Sequence, residues 1–548
     1  MFGVVIVGEQ LHRSILLAEQ IERHVPGVKI CGIICRLPYR SPITLQSRVR
    51  SAFGAVAGLV SGLLLHSIHG GRLKARDKER SSGTLDARCR QAGWALHFTH
   101  KIESDETKAF LRGTKATLTV LAGLPELPAR ETLTTDGLIG GRLCSIGNQQ
   151  ISTSALGKSL QSVDGIEITV MEWSAHGERP LARFELYPEP LDTSVSLELK
   201  SNLILRDLLV QSVAALVQQQ QDAAAQVQRW ARSMIPSFLW RTDRSKCHMS
   251  IDQAPPLRVR APWKLCLYSF LLLSPSVVFR NWLYRRRKQC PLLFLTSHLI
   301  SDRHHRMALP TEAFFDVVGY LKKFYRIVSF SEACRLLKAG KNDQPTLALT
   351  FDDGYEDNFV NLRAVCEEME IPVTLFVATD PVTFHREFAH DFRRGLLGFR
   401  ALTWEQIRYW SAGDAEFHSH TCSHYDCGST DEALLTRELI ESKRVLEEQL
   451  GKPVTAFAFP FGKLNNMSNP AVAIAGRIYD HFLSSFGGEN IPSASDDHKH
   501  LRRKHLQGNT WESELDIQNV FAVATSVKRL LRVSLNGSSI QRPDLSLR

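Results

Sequence analysis

The stretch Leu347-Ala-Leu-Thr-Phe-Asp-Asp-Gly-Tyr355 decides how this chain is read. Its first five residues carry no charge and suit a strand buried on both faces, yet the run stops in two adjacent carboxylates and a glycine. In α/β sheets the reacting groups collect at the carboxyl ends of parallel strands, where side chains leave the packed core and face a cleft. Asp352 and Asp353 are expected there. Further along come His420-Thr-Cys-Ser-His424, with two imidazoles four positions apart, and Phe457-Ala-Phe-Pro-Phe-Gly462. Taken singly, Asp-Asp-Gly is most often a solvated turn and a spaced histidine pair is structural. A carboxylate together with paired histidines is a metal-site composition.

In this order, TFDDG at a strand end, HTxxH and FxxPFG resemble the polysaccharide deacetylase (NodB-homology) family of metal-dependent carbohydrate esterases, over about residues 291 to 510. The resemblance implies that Asp353, His420 and His424 hold one divalent ion, three protein ligands leaving the open position that a catalytic centre needs. Zinc is the foremost choice for a carboxylate with two imidazoles, and cobalt, nickel, manganese or iron also suit them. Such an ion lowers the pKa of a water from about 15.7 towards 7 and polarises a carbonyl, which is what amide hydrolysis requires. Histidines at i and i+4 are expected on one face of a helical turn.

By the same resemblance Asp352 is the general base, and Pro460 and Phe461 form the groove in which a backbone N–H meets the oxyanion. The commonest form of the third motif has a base-orienting arginine where this chain has Ala458, so Arg503 in His500-Leu-Arg-Arg503 is the candidate replacement. No convincing Leu-x-His motif follows. Upstream, Leu292-Leu-Phe-Leu-Thr-Ser-His298 reads as a strand ending in a histidine and resembles the segment that opens circularly permuted members. This makes His298 the choice for general acid, with His505 the downstream candidate. His418 is expected to be packed.

The surrounding pattern is that of a repeated β/α build. Phe359, Leu362, Val365 and Met369 recur at helical spacing before the strand Pro372–Val377. Ser429-x-x-Glu432 has the form of a capping box, Leu435, Leu439, Leu446 and Leu450 make an apolar face, and Gly451 is the stop. The family resemblance makes this half, residues 291–520, a distorted, incomplete (β/α) barrel of the polysaccharide deacetylase type.

Residues 1–230 read as a second α/β unit. Phe2–Gly8 is a buried strand, Leu11–Arg23 a helix and Val28–Cys35 a second strand, a doubly wound start that lacks GxGxxG and any Walker loop. With Glu103–Leu111, Ala116–Ala122 and Ile166–Val170, this opening resembles the formyltransferase fold. The catalytic set does not carry over: the expected Asn-x-His segment is Ile139-Gly-Gly-Arg142, and no convincing aspartate follows near His176 to Leu186. The unit is read as formyltransferase-like without folate chemistry.

Between the halves, 231–290 reads as a linker holding an apolar run, Leu265–Phe279, with the basic flank Arg285-Arg-Arg-Lys288, and 521–548 as a tail. The apolar run falls short of the roughly 20 residues that span a bilayer. It reads as a packed helix, or more sharply as an interfacial one making peripheral membrane contact. Phe53–Leu65 is expected as a buried helix. The net charge of +10 suits anionic surfaces or acidic glycans but is spread along the chain, and no aromatic-basic motif points to nucleic acid. Eleven cysteines without paired short spacings read as reduced thiols, and the start lacks a signal-peptide pattern, so a cytoplasmic enzyme is expected. Its expected substrate is an N-acylated amino-sugar glycan or carrier-linked precursor, from which it removes an N-acetyl group. Deformylation of a formamido sugar and an inactive carbohydrate-binding module are the alternatives.

Overall fold

A computed structural model describes residues 2–36, 82–122, 135, 137–145, 165–174, 177–219, 222–240, 275–508 and 510–518. The expected helix Phe53–Leu65, the apolar run before Pro275 and the tail 521–548 lie outside the described residues.

In the N-terminal half, β1 (Phe2–Gly8), α1 (Leu11–His24) and β2 (Val28–Arg36) form the expected opening. After α2 (Ser82–Ala92), β3 (Ala95–Thr99) and α3 (Asp105–Thr114), β4 (Leu118–Ala122) returns beside β1. β5 (Gly137–Ser145) continues the parallel sheet, and β6 (Ile166–Ser174) and β7 (Gly177–Leu186) extend it antiparallel, in the order β3-β2-β1-β4-β5-β6-β7. Val4 to Val7 are fully buried because both faces of the sheet are covered. The long α4 (Ser194–Val217) packs on this sheet, and a Cβ at Gly141 would lie 2.2 Å from Leu205 Cδ1. Where the formyltransferase resemblance looked for Asn-x-His, this chain thus has a packing surface.

The linker expectation fails at its start. α5 (Ala223–Met234) runs across position 230, and Ile235 and Leu239 are buried, while Trp240 sits edge-on to Phe184 with ring centroids 4.8 Å apart. Pro236 and Ser237 suggested a spacer, but the apolar residues around them pay for order. α6 (Pro275–Arg287) follows.

The C-terminal half begins with β8 (Leu292–Ser297) and the short parallel pair β9 (Leu299–Ile300) and β10 (Ala308–Leu309). Then come α7 (Thr311–Phe324), β11 (Arg326–Ile327), α8 (Phe330–Lys338), β12 (Thr346–Phe351), α9 (Asn361–Glu368) and β13 (Val373–Val377). α10 (Trp404–Ser411), β14 (Ala415–Ser419), α11 (Glu432–Leu450), β15 (Ala456–Ala458), α12 (Asn469–Ile478), β16 (His481–Ser484), β17 (His500–His505) and α13 (Thr510–Ile517) complete it. β12 pairs with β8 over six residues, so the strands β12-β13-β14-β15-β16-β17-β8 form a closed, all-parallel ring. The incomplete barrel expected from sequence is in fact closed, with seven strands. Its distortion lies at β12, where β11 pairs with Thr346 and Leu347 and β13 takes over at Thr350.

Two local expectations also change. The helix expected before Ile371 divides into a 3-10 turn, Glu356–Phe359, and α9. α11 is capped by Asp431, which accepts from Leu434 N–H, while Ser429 accepts from Asp431 N–H; Gly451 ends the helix in the left-handed conformation as expected.

One apolar core runs through both halves. α4 and α9 meet across the junction, where Arg363 is 1% exposed and donates to Asp207 at 2.6 Å. Arg13 binds Glu198 and Glu368, and Lys200 is buried between Asp192 and Asp302, 2.6 Å from each. Among the described residues no helix is long and apolar enough to cross a membrane.

Candidate active site

Parallel pairing around the ring puts every carboxyl end on one face. Asp352 follows β12 directly, buried, with its N–H donating to Ser297 O of β8 at 3.0 Å. Arg503, on β17 and fully buried, grips it bidentately: Nη1 donates to Oδ1 at 2.6 Å and Nη2 to Oδ2 at 2.8 Å. The same guanidinium is fixed by Ser485 Oγ at 2.9 Å and Ser484 O at 3.3 Å. Burial pushes the Asp352 carboxyl up, but Arg503 and then His420 outweigh it and hold the group below the usual carboxylate range. A fork of two parallel charge-assisted bonds fixes orientation as well as charge.

Asp353 has φ of 71° and Gly354 φ of 91°. A Cβ on residue 354 would stand 2.7 Å from Val377 Cγ1, so glycine is required for the turn that aims Asp353 inward. The Asp353 carboxylate is 1% exposed, with His424 Nε2 at 3.1 Å and His420 Nε2 at 3.4 Å from Oδ1. His420 Nδ1 lies 2.8 Å from Ala458 O, an atom that only accepts, so the proton sits on Nδ1 and the Nε2 lone pair faces Asp353. Thus Ala458, which lacks the expected arginine, contributes its carbonyl to the orientation of His420.

The histidines do not share a helical turn. His420 ends the β14 ladder, donating its N–H to Val377 O at 3.0 Å, and residues 420–424 are irregular, with positive φ at Thr421 (66°) and His424 (59°). Glu438 of α11 holds the loop by accepting from the N–H groups of Cys422 and Ser423, both at 2.9 Å. Four-residue spacing therefore brings the imidazoles together through a clamped loop, their ring centroids 5.0 Å apart.

One donor atom from each of Asp353, His420 and His424 lies within 4.8 Å of the others, and neither Asp353 oxygen accepts a hydrogen bond. A buried carboxylate without a donor, beside two imidazoles of which that of His420 has its far nitrogen oriented by a carbonyl, fits a divalent cation. Burial raises the Asp353 carboxyl, and the charge of His424 with the closeness of both imidazoles overrides this and holds it well below the usual range.

His298 directly follows β8, half-buried, within electrostatic reach of Asp352 and Asp353. Its carbonyl accepts from Asn358 Nδ2 at 2.8 Å. His505 is exposed at the end of β17. Phe461, after the buried Pro460, is 48% exposed and stands edge-on to His424, with ring centroids 4.9 Å apart. His418 is packed between Phe330 and Phe376; burial pushes its imidazole down to about 3 and neither ring nitrogen has a partner. Cys422 and Cys427 are free thiols, buried outside the donor cluster.

Sequence reasoning missed Tyr355 and His390. Tyr355 donates to Asp391 at 2.6 Å and meets His390 Nε2 at 2.9 Å, while the His390 ring lies 5.0 Å from that of His424. His305 Nε2 completes the chain, 3.0 Å from Asp391 Oδ1. Tyr355 stood in the opening stretch, but its partners come from the segment after β13, which has no periodicity to announce its path.

Residues 339–477 match the family model described as polysaccharide deacetylase. YxkH of Bacillus subtilis (strain 168), assigned as a polysaccharide deacetylase, is 22% identical over 194 residues, 35% of this chain and 64% of that protein, so less than two thirds of this relative is spanned. Among solved structures, Streptococcus pyogenes deacetylase PplD in complex with acetate is 21% identical, with 41% of this chain and 96% of that chain covered and a TM-score of 0.34. For IcaB from Ammonifex degensii the figures are 20%, 42%, 97% and 0.36. A phosphoribosylglycinamide formyltransferase from Anaplasma phagocytophilum is 12% identical, with 40% and 88% covered and a TM-score of 0.27.

Proposed function

We propose that this chain, whose residues 339–477 carry a polysaccharide deacetylase domain, hydrolyses the N-acetyl group of an amino-sugar glycan or carrier-linked glycan precursor. The observation that carries this reading is the pairing of a donor cluster, Asp353, His420 and His424, with a second carboxylate clamped by a buried arginine. The three side chains would hold a divalent ion, zinc foremost, which when bound supplies a Lewis-acidic charge to polarise the amide and acidify water.

Asp352, kept anionic by Arg503, accepts the proton of the attacking water. Arg503 is the positioning residue for this base, and His298 delivers a proton to the leaving nitrogen. The rigid Pro460-Phe461 turn presents its backbone to the oxyanion. Water and amide are consumed, and acetate and a free amine are formed. Deacetylation is preferred to deformylation because the site residues match the deacetylase motifs, whereas the N-terminal half lacks the formyltransferase set.

Purified chain should hold about one divalent ion, lost in His420→Ala and His424→Ala, as elemental analysis would read. Mass spectrometry of matched N-acetyl and N-formyl sugars, free and carrier-linked, should find faster release of acetate. Faster release of formate would reverse the acyl assignment, and release of neither would remove the enzyme reading.

A further inference from the structure

Twelve large hydrophobic side chains are exposed among the described residues, and seven of them come from the segments that follow β13, β15 and β16: Phe384, Phe392, Leu397, Phe461, Leu464, Phe486 and, farther along, Ile491, whose neighbour Asn490 pairs with Leu292 at the start of β8. Because the ring is all parallel, each of those segments begins on the carboxyl face that bears Asp352 and Asp353, where the first six of these residues lie, and returns to the amino face before the next strand. The segment after β13 lies against the site. Leu402 N–H donates to Gly354 O at 2.8 Å, Asp380 N–H to Cys422 O at 2.8 Å, and Tyr355 pairs with Ala401. Phe384 is 56% exposed, Phe392 67% and Leu397 63%.

The same segment is basic. Arg386, Arg393 and Arg394 are exposed, and Arg386 lies over the Phe384 ring at 4.3 Å. Arg394 donates to His390 O at 3.4 Å, and the charge of Arg386 acts on the Asp380 carboxyl. Arg306, Arg400 and Lys463 are also exposed in the segments after β8, β13 and β15, against the exposed Asp380, Asp426, Asp431 and Glu432. Apolar tips interleaved with cations match the two parts of an anionic lipid surface, acyl chains beneath negative headgroups. The composition also discriminates between occupants. A sugar-stacking platform is built of tyrosine or tryptophan, which present a polar handle, whereas the exposed tips here are phenylalanine and leucine.

We infer that the carboxyl face docks on an anionic bilayer, with Phe384, Phe392 and Leu397 inserted and Arg386, Arg393 and Arg394 at the headgroups. This deepens the proposed function, on which it rests for its meaning: the substrate is presented at a membrane surface, as a lipid-carried glycan would be.

The test is sedimentation of the full chain with vesicles of phosphatidylcholine alone or mixed with phosphatidylglycerol. Wild type should partition onto the anionic vesicles, and Phe384→Ser/Phe392→Ser/Leu397→Ser should lower the partition coefficient by roughly tenfold or more with an unchanged melting temperature. Should that variant misfold, Arg386→Glu/Arg393→Glu/Arg394→Glu decides, since exposed charge reversals leave the core intact. α6 carries its own exposed Phe279 and Trp282 beside Arg286, so Phe279→Ser/Trp282→Ser is the control. Loss of vesicle binding in that control alone would assign the membrane contact to α6 and overturn the inference. Equal binding to neutral vesicles, no vesicle binding by wild type, or loss of soluble-glycan binding with vesicle binding intact in the serine variant would also overturn it. The measurement needs no turnover, and Asp352→Asn should sediment like wild type, so failure of docking and failure of the hydrolase reading are separable.

Discussion

Arg503 and Asp352 lie 151 positions apart and meet as a buried fork, so each is the other's condition for being there. Asp352→Asn should keep the metal and cut turnover by about 10²–10⁴-fold, because an amide cannot take the proton. Arg503→Gln should also lower kcat with metal retained, and the double variant should be little worse than Asp352→Asn alone, as expected for residues acting as a unit. Additive losses in that cycle would separate the two roles. Glu356 offers a test independent of turnover. Burial pushes its carboxyl up to about 7, whereas an unfolded glutamate titrates near 4.3. Between these values the unfolded chain releases a proton that the folded chain keeps, so this residue's contribution to stability falls as pH rises through the window. Glu356→Gln should therefore narrow the stability difference between pH 5 and pH 8 in urea melts; an unchanged difference would refute the shift. Asp352, Asp353, His420 and His424 were legible because motif order carries them. Arg503 was legible only as a late arginine, and His390 not at all, since its place depends on how the loop after β13 folds back.

Spacing misled where two kinds of element satisfy it. His420 and His424 suggested a helical turn, but a strand ends at Ser419 and the carboxylate of Glu438 holds the next residues as a loop. Similarly, Ser429 and Glu432 had the form of a capping box, although Asp431 was a better acceptor one residue before the helix. Asp431→Ala should cost about 1 kcal/mol of stability and Ser429→Ala clearly less, measured by thermal melting. The reverse order would reinstate the box. The buried strands were read well because continuous apolar runs bounded by charge have few other uses, as in Thr346–Phe351 and Val373–Val377.

For the molecule as a whole, the sequence suggested two units joined by a spacer, and the described residues share one core. Arg363 is the sharpest sign, a cation of α9 neutralised by Asp207 of α4 and lying over Phe359 and Tyr409. Asp207→Ala would leave that guanidinium with Glu367 alone, which accepts from Nε at 2.7 Å, and its buried Nη2 without an acceptor, at a cost of about 1–3 kcal/mol. Calorimetry should find one unfolding transition in the wild type, moved to lower temperature in the variant; two separate transitions would contradict a shared core. The ring closure has a consequence of another kind. β8 forms the wall between β12 and β17, yet it precedes both in the chain and lies outside the matched span 339–477. Severing the backbone at the exposed His304 would leave β8 and His298 on one polypeptide and the remaining six strands of the ring, with Asp352, Asp353, His420, His424 and Arg503, on the other. Neither piece owns a complete cylinder, so hydrolysis should be absent from each alone and return when the two are co-expressed, a complementation that a self-sufficient 339–477 unit would not require.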